Sequence, residues 1–152
     1  VIRVPFIWSD PAGSQGIRSN ILASAIDFAP SVLTRAELAP YSGIQGEDIV
    51  SVATGKRSSD RNGLIIEADE LPENVDIEKF FRVRTYVNER WRLTLWVDDD
   101  FGELYDRVND PLELNNLWDE PSSKEDKAYL IEAMLKQQYT YSDLMPRPDF
   151  MG

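Results

Sequence analysis

The most regular alternation of apolar and polar positions runs from Phe81 to Val97. Phe81, Val83, Thr85 and Val87 alternate with Arg82, Arg84, Tyr86 and Asn88, and Trp91, Leu93, Leu95 and Val97 alternate with Arg92, Thr94 and Trp96. Two period-two runs across a short polar turn predict an antiparallel hairpin with one buried face. Leu64–Ala68 is a short strand ahead of an acidic connection from Glu67 to Glu78, Asp98-Asp99-Asp100 is a turn, and Glu103–Asp106 is a further strand. Asp110-Pro111 opens a helical turn through Leu114. Ser122 with Glu125 fits a capping box before the last helix. In that helix Ile131, Met134, Leu135 and Gln138 form the stripe expected to pack on the sheet. The tail from Tyr141 to Gly152, with two prolines, reads as extended.

The amino-terminal part has a different texture. Val1–Trp8 is mostly apolar and predicts a strand, followed by the turn Ser9-Asp10-Pro11-Ala12-Gly13 and a loop through Gly16. Ile21–Ile26 is a second short strand. Asp27 reads as a helix N-cap, worth about 1 kcal/mol, with Pro30 in the first turn, where its missing N–H costs little. Pro40 and Gly43 end that helix, and Gly46–Ala53 forms another, stopped at Gly55. The polar run Lys56–Gly63 is the best boundary. Residues 1–56 then form the end of an α/β domain whose neighbouring strands are missing, and residues 57–152 form an antiparallel sheet with a helix over it. The fold class expected is mixed α/β (α+β).

Composition narrows the chemistry. The 152 residues suffice for a real core, and 42% are hydrophobic. With 27 Asp+Glu against 16 Lys+Arg, the net charge of −11 opposes binding to nucleic-acid phosphates. There is no Cys and no His, which removes zinc–thiolate sites, cysteine nucleophiles and His-based triads. No run approaches the ~20 apolar residues that span a bilayer. The chain starts at Val1 and reads as soluble; a periplasmic or secreted location after signal removal stays open.

Several segments in order resemble the last third of sulfatases of the alkaline phosphatase superfamily. Arg3-Val4-Pro5-Phe6-Ile7 is similar to the family's Arg-Val-Pro strand. Ser24-Ala25-Ile26-Asp27-Phe28-Ala29-Pro30-Ser31-Val32-Leu33 resembles its Ser-x-x-Asp-x-x-Pro-Thr-x-Leu helix start, with Ser31 where Thr is common. Ile44-Gln45-Gly46-Glu47-Asp48-Ile49 is similar to its Gly-x-Ser-Leu turn, with Asp48 for Ser. Arg84-Thr85 through Trp91-Arg92-Leu93 looks like a strand pair of the family. Glu103-Leu104-Tyr105-Asp106, Asp110-Pro111-Leu112-Glu113 and Asn116-Leu117 match its Glu-Leu-Tyr-Asp, Asp-Pro-x-Glu and Asn-Leu series.

The resemblance implies a parent that hydrolyses sulfate esters with a formylglycine, made within a Cys/Ser-x-Pro-Ser-Arg motif, and a divalent cation, usually calcium. Those elements lie upstream of the Arg-Val-Pro strand in the family. The nearest imitation here, Ser9-Asp10-Pro11-Ala12-Gly13, has Gly where the motif needs Arg. No catalytic or metal-binding residue is therefore carried over, and no cofactor is expected in this chain. The expected partners are a missing N-terminal catalytic domain and, through it, a sulfate-ester substrate. No nucleic acid or membrane is expected, and self-association through an exposed sheet edge follows from an incomplete sheet.

Five residues are weak candidates for substrate contact. Trp8 and Asp10 follow a strand, beyond whose end ligands sit in open α/β sheets. Arg82, Arg84 and Arg92, with Tyr86 and Trp96, are expected on one face opposite the apolar stripe, where they would hold an anion or a sugar ring, or would dock onto the missing domain. Asp98-Asp99-Asp100 reads as a solvated turn and not as a cation site. Two other functions remain open: a phosphonate or phosphodiester hydrolase segment of the same superfamily, and a free-standing, non-catalytic binding module.

Overall fold

The computed structural model describes residues 4–13, 15–41, 43–70 and 81–142. These fall into two compact units, one made of residues up to Arg61 with those from Tyr139 on, the other of Asn62–Gln138. The elements are a mixture of helices and one small antiparallel sheet, as expected from the sequence.

The second unit contains a four-stranded meander of β1 (Leu64–Glu70), β2 (Phe81–Val87), β3 (Trp91–Trp96) and β4 (Gly102–Asp106), hydrogen-bonded in that order. Every pairing is antiparallel. Most of the Glu67–Glu78 connection and the tail beyond Ser142 lie outside the described residues.

The hairpin is where the pattern predicts it, but its faces differ from the prediction. Tyr86 stands opposite Leu93, and Val87 opposite Arg92. One row across the sheet is Ile65–Tyr86–Leu93–Leu104. The long helix α3 (Lys124–Ser142) contributes Leu130 and Met134 to the same cluster, together with Trp91. Tyr86 is thus a core residue and not part of a polar face. Burying each of these large side chains stabilises the unit by about 1.5–3 kcal/mol. On the other face Thr85 and Thr94 are buried opposite each other, their hydroxyls 3.0 Å apart.

The buried stripe of α3 is also rotated from the one expected. Leu130 and Met134 are buried, whereas Ile131 and Leu135 are 38% and 49% exposed. A turn of 3-10 helix over Pro121–Ser123 leads into α3, in place of a capping box on Ser122. Asp110–Glu113 is a tight turn and not a helical one, closed by the Glu113 N–H donating to the Asp110 carbonyl at 3.0 Å. Glu113 has φ +55°, in the left-handed region.

The outer edge of β4 is covered. Asn116 accepts from the Leu104 N–H (2.9 Å) and donates to the Gly102 carbonyl (3.0 Å), and the Leu117 N–H reaches the Leu104 carbonyl (2.8 Å). Such coverage removes a template for foreign strands. Gly102 makes room for Trp118, whose ring a Cβ would meet at 2.6 Å.

In the first unit, α1 (Phe28–Arg35) follows a 3-10 turn, Ala25–Asp27, and α2 spans Ile49–Ala53. The strands expected at 1–8 and 21–26 are not present: residues 4–8 and 21–24 have no regular structure, and 1–3 lie outside the described residues. A strand needs a hydrogen-bonded neighbour, and this apolar sequence has none among the described residues of its unit. Helix α1 ends before Pro40, in a Schellman closure. Leu38 N–H bonds to Leu33 O (2.9 Å) and Glu37 N–H to Thr34 O (3.1 Å), with Glu37 at φ +57°.

Candidate functional site

In the first unit, Trp8 and Asp10 lie among residues that local pattern did not single out. The Trp8 ring meets Phe28 edge-on with centroids 6.3 Å apart. Its indole N–H is buried and has no acceptor among the described residues. Asp10 builds its own turn: its carboxylate accepts from Ala12 N–H and its carbonyl from Gly13 N–H, each at 3.0 Å. Arg35, in the last turn of α1, grips that carboxylate with Nε and with Nη2, the latter at 3.1 Å from Oδ1. The guanidinium holds the Asp10 carboxyl below its ordinary range.

Asp27 is a hub and not a simple cap. Its carboxylate accepts from Ser24 N–H (2.7 Å), Glu47 N–H (2.9 Å) and two guanidinium nitrogens of Arg61 (2.8 and 2.5 Å). Both side chains of the pair are buried. Burial pushes the Asp27 carboxyl up, but Arg61 and the two N–H groups outweigh it and leave the group below the usual range. Ser31 extends the network, donating to the Asp27 carbonyl (2.7 Å) and accepting from Ile49 N–H (3.0 Å). Nothing local in the sequence announces a partner 34 positions away.

The second unit separates the three candidate arginines. Arg84 stands opposite Leu95 and shares its face with Arg82 and Tyr86; Arg92 stands opposite Val87 and shares the other face with Trp96. The single arginine face expected from alternation does not form. Arg84 is engaged by Asp69 (2.6 and 3.3 Å) and Glu67 (2.9 Å), and Arg82 lies across the strand pair from Asp69. Arg92 lies over the Tyr105 ring at 4.8 Å and reaches Glu103 at 3.2 Å. Its Nε is 3.0 Å from Glu113, close enough for ion pairing but off the direction of a hydrogen bond. Arg107 holds the other Glu113 oxygen at 3.5 Å. Arg84 and Arg92 thus already face carboxylates that neutralise them, a poor starting point for capturing an anion.

Asp106, at the end of β4, is held by Arg90 (2.8 Å) and accepts from the Val108 and Asn109 N–H groups and the Asn109 side chain. Arg90, aided by Asn109, lowers its carboxyl to about 2. These contacts organise turns.

The formylglycine and calcium that the resemblance implies for a parent do not fit this donor set. The sequence has no Cys/Ser-x-Pro-Ser-Arg motif, Asp10 is committed to Arg35, and among the described residues no three Asp, Glu, His or Cys side chains converge. No step is assigned to either group here. Among the described residues no helix is long and apolar enough to cross a membrane.

Residues 1–140 match the family described as "N-sulphoglucosamine sulphohydrolase, C-terminal", and the chain belongs to that family. It is similar to the N-acetylglucosamine-6-O-sulfatase of Bacteroides thetaiotaomicron, 28% identical over 149 residues, covering 95% of this chain and 26% of that protein. It is also similar to the uncharacterized sulfatase YidJ of Escherichia coli K12, 28% identical over 136 residues, covering 89% and 26%. The chain thus spans about a quarter of the length of these curated relatives. Among solved structures, a protein in complex with its substrate D-glucosamine-2-N,6-O-disulfate matches with TM-score 0.66 and 24% identity, covering 82% of this chain and 25% of that one. The phosphonate monoester hydrolase of Agrobacterium radiobacter matches with TM-score 0.61 and 19% identity, covering 76% and 24%. At these identities the structural likeness speaks for the fold alone.

Proposed function

We propose that this chain is the C-terminal part of a sulfuric ester hydrolase acting on a sulfated carbohydrate. Its role is to complete the catalytic domain's edge with residues 1–56 and to add the antiparallel subdomain with residues 57–152. The nucleophile and the metal ligands then reside in the three quarters of the relatives' length that this chain does not span. The observation that carries this is the apolar segment Val4–Ile7, in which Val4 is 74% and Ile7 87% exposed with no strand partner among the described residues of its unit. Such a segment calls for another body to cover it. The Trp8 N–H agrees, since buried donors are nearly always satisfied and its acceptor has to come from outside the described residues. Trp8 and Asp10 then line the seam between this chain and that body, and border the substrate cleft if the seam opens into it.

The carbohydrate part follows the relatives, one of them an N-acetylglucosamine-6-O-sulfatase and another a protein solved with a disulfated glucosamine. The test is to assay the full polypeptide that carries this chain against 6-O-sulfated N-acetylglucosamine, an aryl sulfate and a phosphonate monoester. Sulfate turnover on the sugar is expected, and this chain alone should give background rates. A preference for the phosphonate monoester would replace this function with that of the hydrolases of similar fold. Turnover by this chain alone would show that it carries its own catalytic groups.

A further inference from the structure

An Asn-Gly dipeptide sits between two anchored residues. Arg61 is held through Asp27, and Leu64 is buried as the first residue of β1, paired with Val87. Between them Asn62 is exposed in a bend, and Gly63 is buried. Among the described residues, neither the Asn62 carboxamide nor the Gly63 N–H has a hydrogen-bond partner. What packs on Gly63 fixes its identity: a Cβ there would stand 2.4 Å from Tyr86 Cζ and 2.5 Å from its Cε2 and hydroxyl. Tyr86 belongs to the core and does not yield easily, so any larger residue is excluded. A glycine after asparagine has chemical consequences. Its amide nitrogen has no adjacent Cβ to hinder approach to the asparagine carboxamide carbon.

We propose that Asn62 is a self-modification site, at which the exposed carboxamide cyclises onto the amide nitrogen of a Gly63 that Tyr86 keeps free of a side chain. Hydroxide removes the Gly63 amide proton, and the nitrogen bonds to Asn62 Cγ. The bond from Cγ to the side-chain nitrogen breaks and ammonia leaves, giving a five-membered succinimide. One water then opens the ring. Opening at Cγ gives aspartate, and opening at the backbone carbonyl gives isoaspartate, whose main chain runs through the former side-chain methylene. The net change is asparagine plus water to an acid plus ammonia. Both products place a new negative charge on the residue that follows Arg61 in the chain. Isoaspartate also lengthens a span that Arg61 and Leu64 hold at both ends.

Every other asparagine in the sequence (20, 74, 88, 109, 115 and 116) precedes a residue with a Cβ, so selectivity is the readout. The full polypeptide is kept in mildly alkaline buffer at body temperature and sampled over days. Peptide mass mapping and labelling by an isoaspartate methyltransferase then locate each acid formed. Asn62 is expected to convert at least about tenfold faster than any other asparagine, because only its neighbour lacks a Cβ. Asn62→Gln should abolish the methyl label while keeping the far-ultraviolet circular dichroism unchanged. Conversion at Asn62 no faster than elsewhere, or a label that persists in Asn62→Gln, overturns the assignment.

Discussion

Arg61 binds both carboxylate oxygens of Asp27 in a site where the two side chains are shielded from water. The pair joins the entry of α1 to the residue directly before the second unit, and Glu47 is tied in through its backbone. Removing one partner leaves a buried charge without its counterion. Asp27→Ala is therefore expected to lower unfolding stability by about 3–5 kcal/mol. The double variant Asp27→Leu with Arg61→Met should recover part of that loss, as measured by urea titration. Equal losses in the single and double variants would argue against a coupled pair.

Asp106 makes stability depend on acid. Its carboxyl is lowered from 3.8 to about 2 in the fold, chiefly by Arg90. The stabilisation is therefore fully present above the unfolded value and is lost as pH falls from near 4 through about 2. Asp106→Asn should be less stable at neutral pH and should show a shallower decline across that window. Thermal melts at several pH values check this, and an unchanged slope would contradict it.

The two faces of α3 should respond differently to truncation. Leu130 packs in the core cluster, and Leu130→Ala is expected to cost about 2–5 kcal/mol through the cavity it opens. Ile131 is partly exposed, and Ile131→Ala should cost less than about 1 kcal/mol. Reversal of that order in denaturant midpoints would mean the helix is rotated from the orientation described.

The apolar segment at Val4 and Ile7 should show itself when the chain is isolated from the rest of its polypeptide. The unsubstituted chain is expected to self-associate as concentration rises, and Val4→Lys with Ile7→Lys to stay monomeric in sedimentation velocity runs. In the full polypeptide the same substitutions should lower the melting temperature. Trp8→Phe should do so more mildly, since it keeps the ring and loses only the N–H.

How much of this was legible in the sequence depended on where the partners lie. The four strands of the meander could be read because the two central ones alternate and the two outer ones are short runs set off by polar turns. The faces of the hairpin could not, because Asn88 N–H bonds to Trp91 O around a two-residue turn, Glu89-Arg90. Such a turn pairs odd with even positions, so Val87 and Trp91 face opposite ways although both are apolar and odd-numbered. Buried residues on both faces, Leu93 on one and Thr94 on the other, then hide the inversion. Residues 4–8 misled for the opposite reason: their composition suits a strand, and no neighbour for one is present among the described residues of their unit. Asp27 was visible as a helix-start residue, whereas Arg61, Arg35 and Glu113 depend on contacts that no local period encodes.

Glu113 has a left-handed backbone, which costs a non-glycine residue about 1–2 kcal/mol, while its side chain lies between Arg92 and Arg107. Arg107 also donates to the Asn88 carbonyl, so the same charges link this turn to the β2–β3 connection. A conformation usually reserved for glycine is here maintained by ion pairing, and ion pairing weakens as the surrounding electrolyte thickens. Concentrated salt therefore acts on the main chain at residue 113 through its neighbours' guanidinium groups. Amide exchange there should quicken with ionic strength while the strand amides of β3 hold theirs.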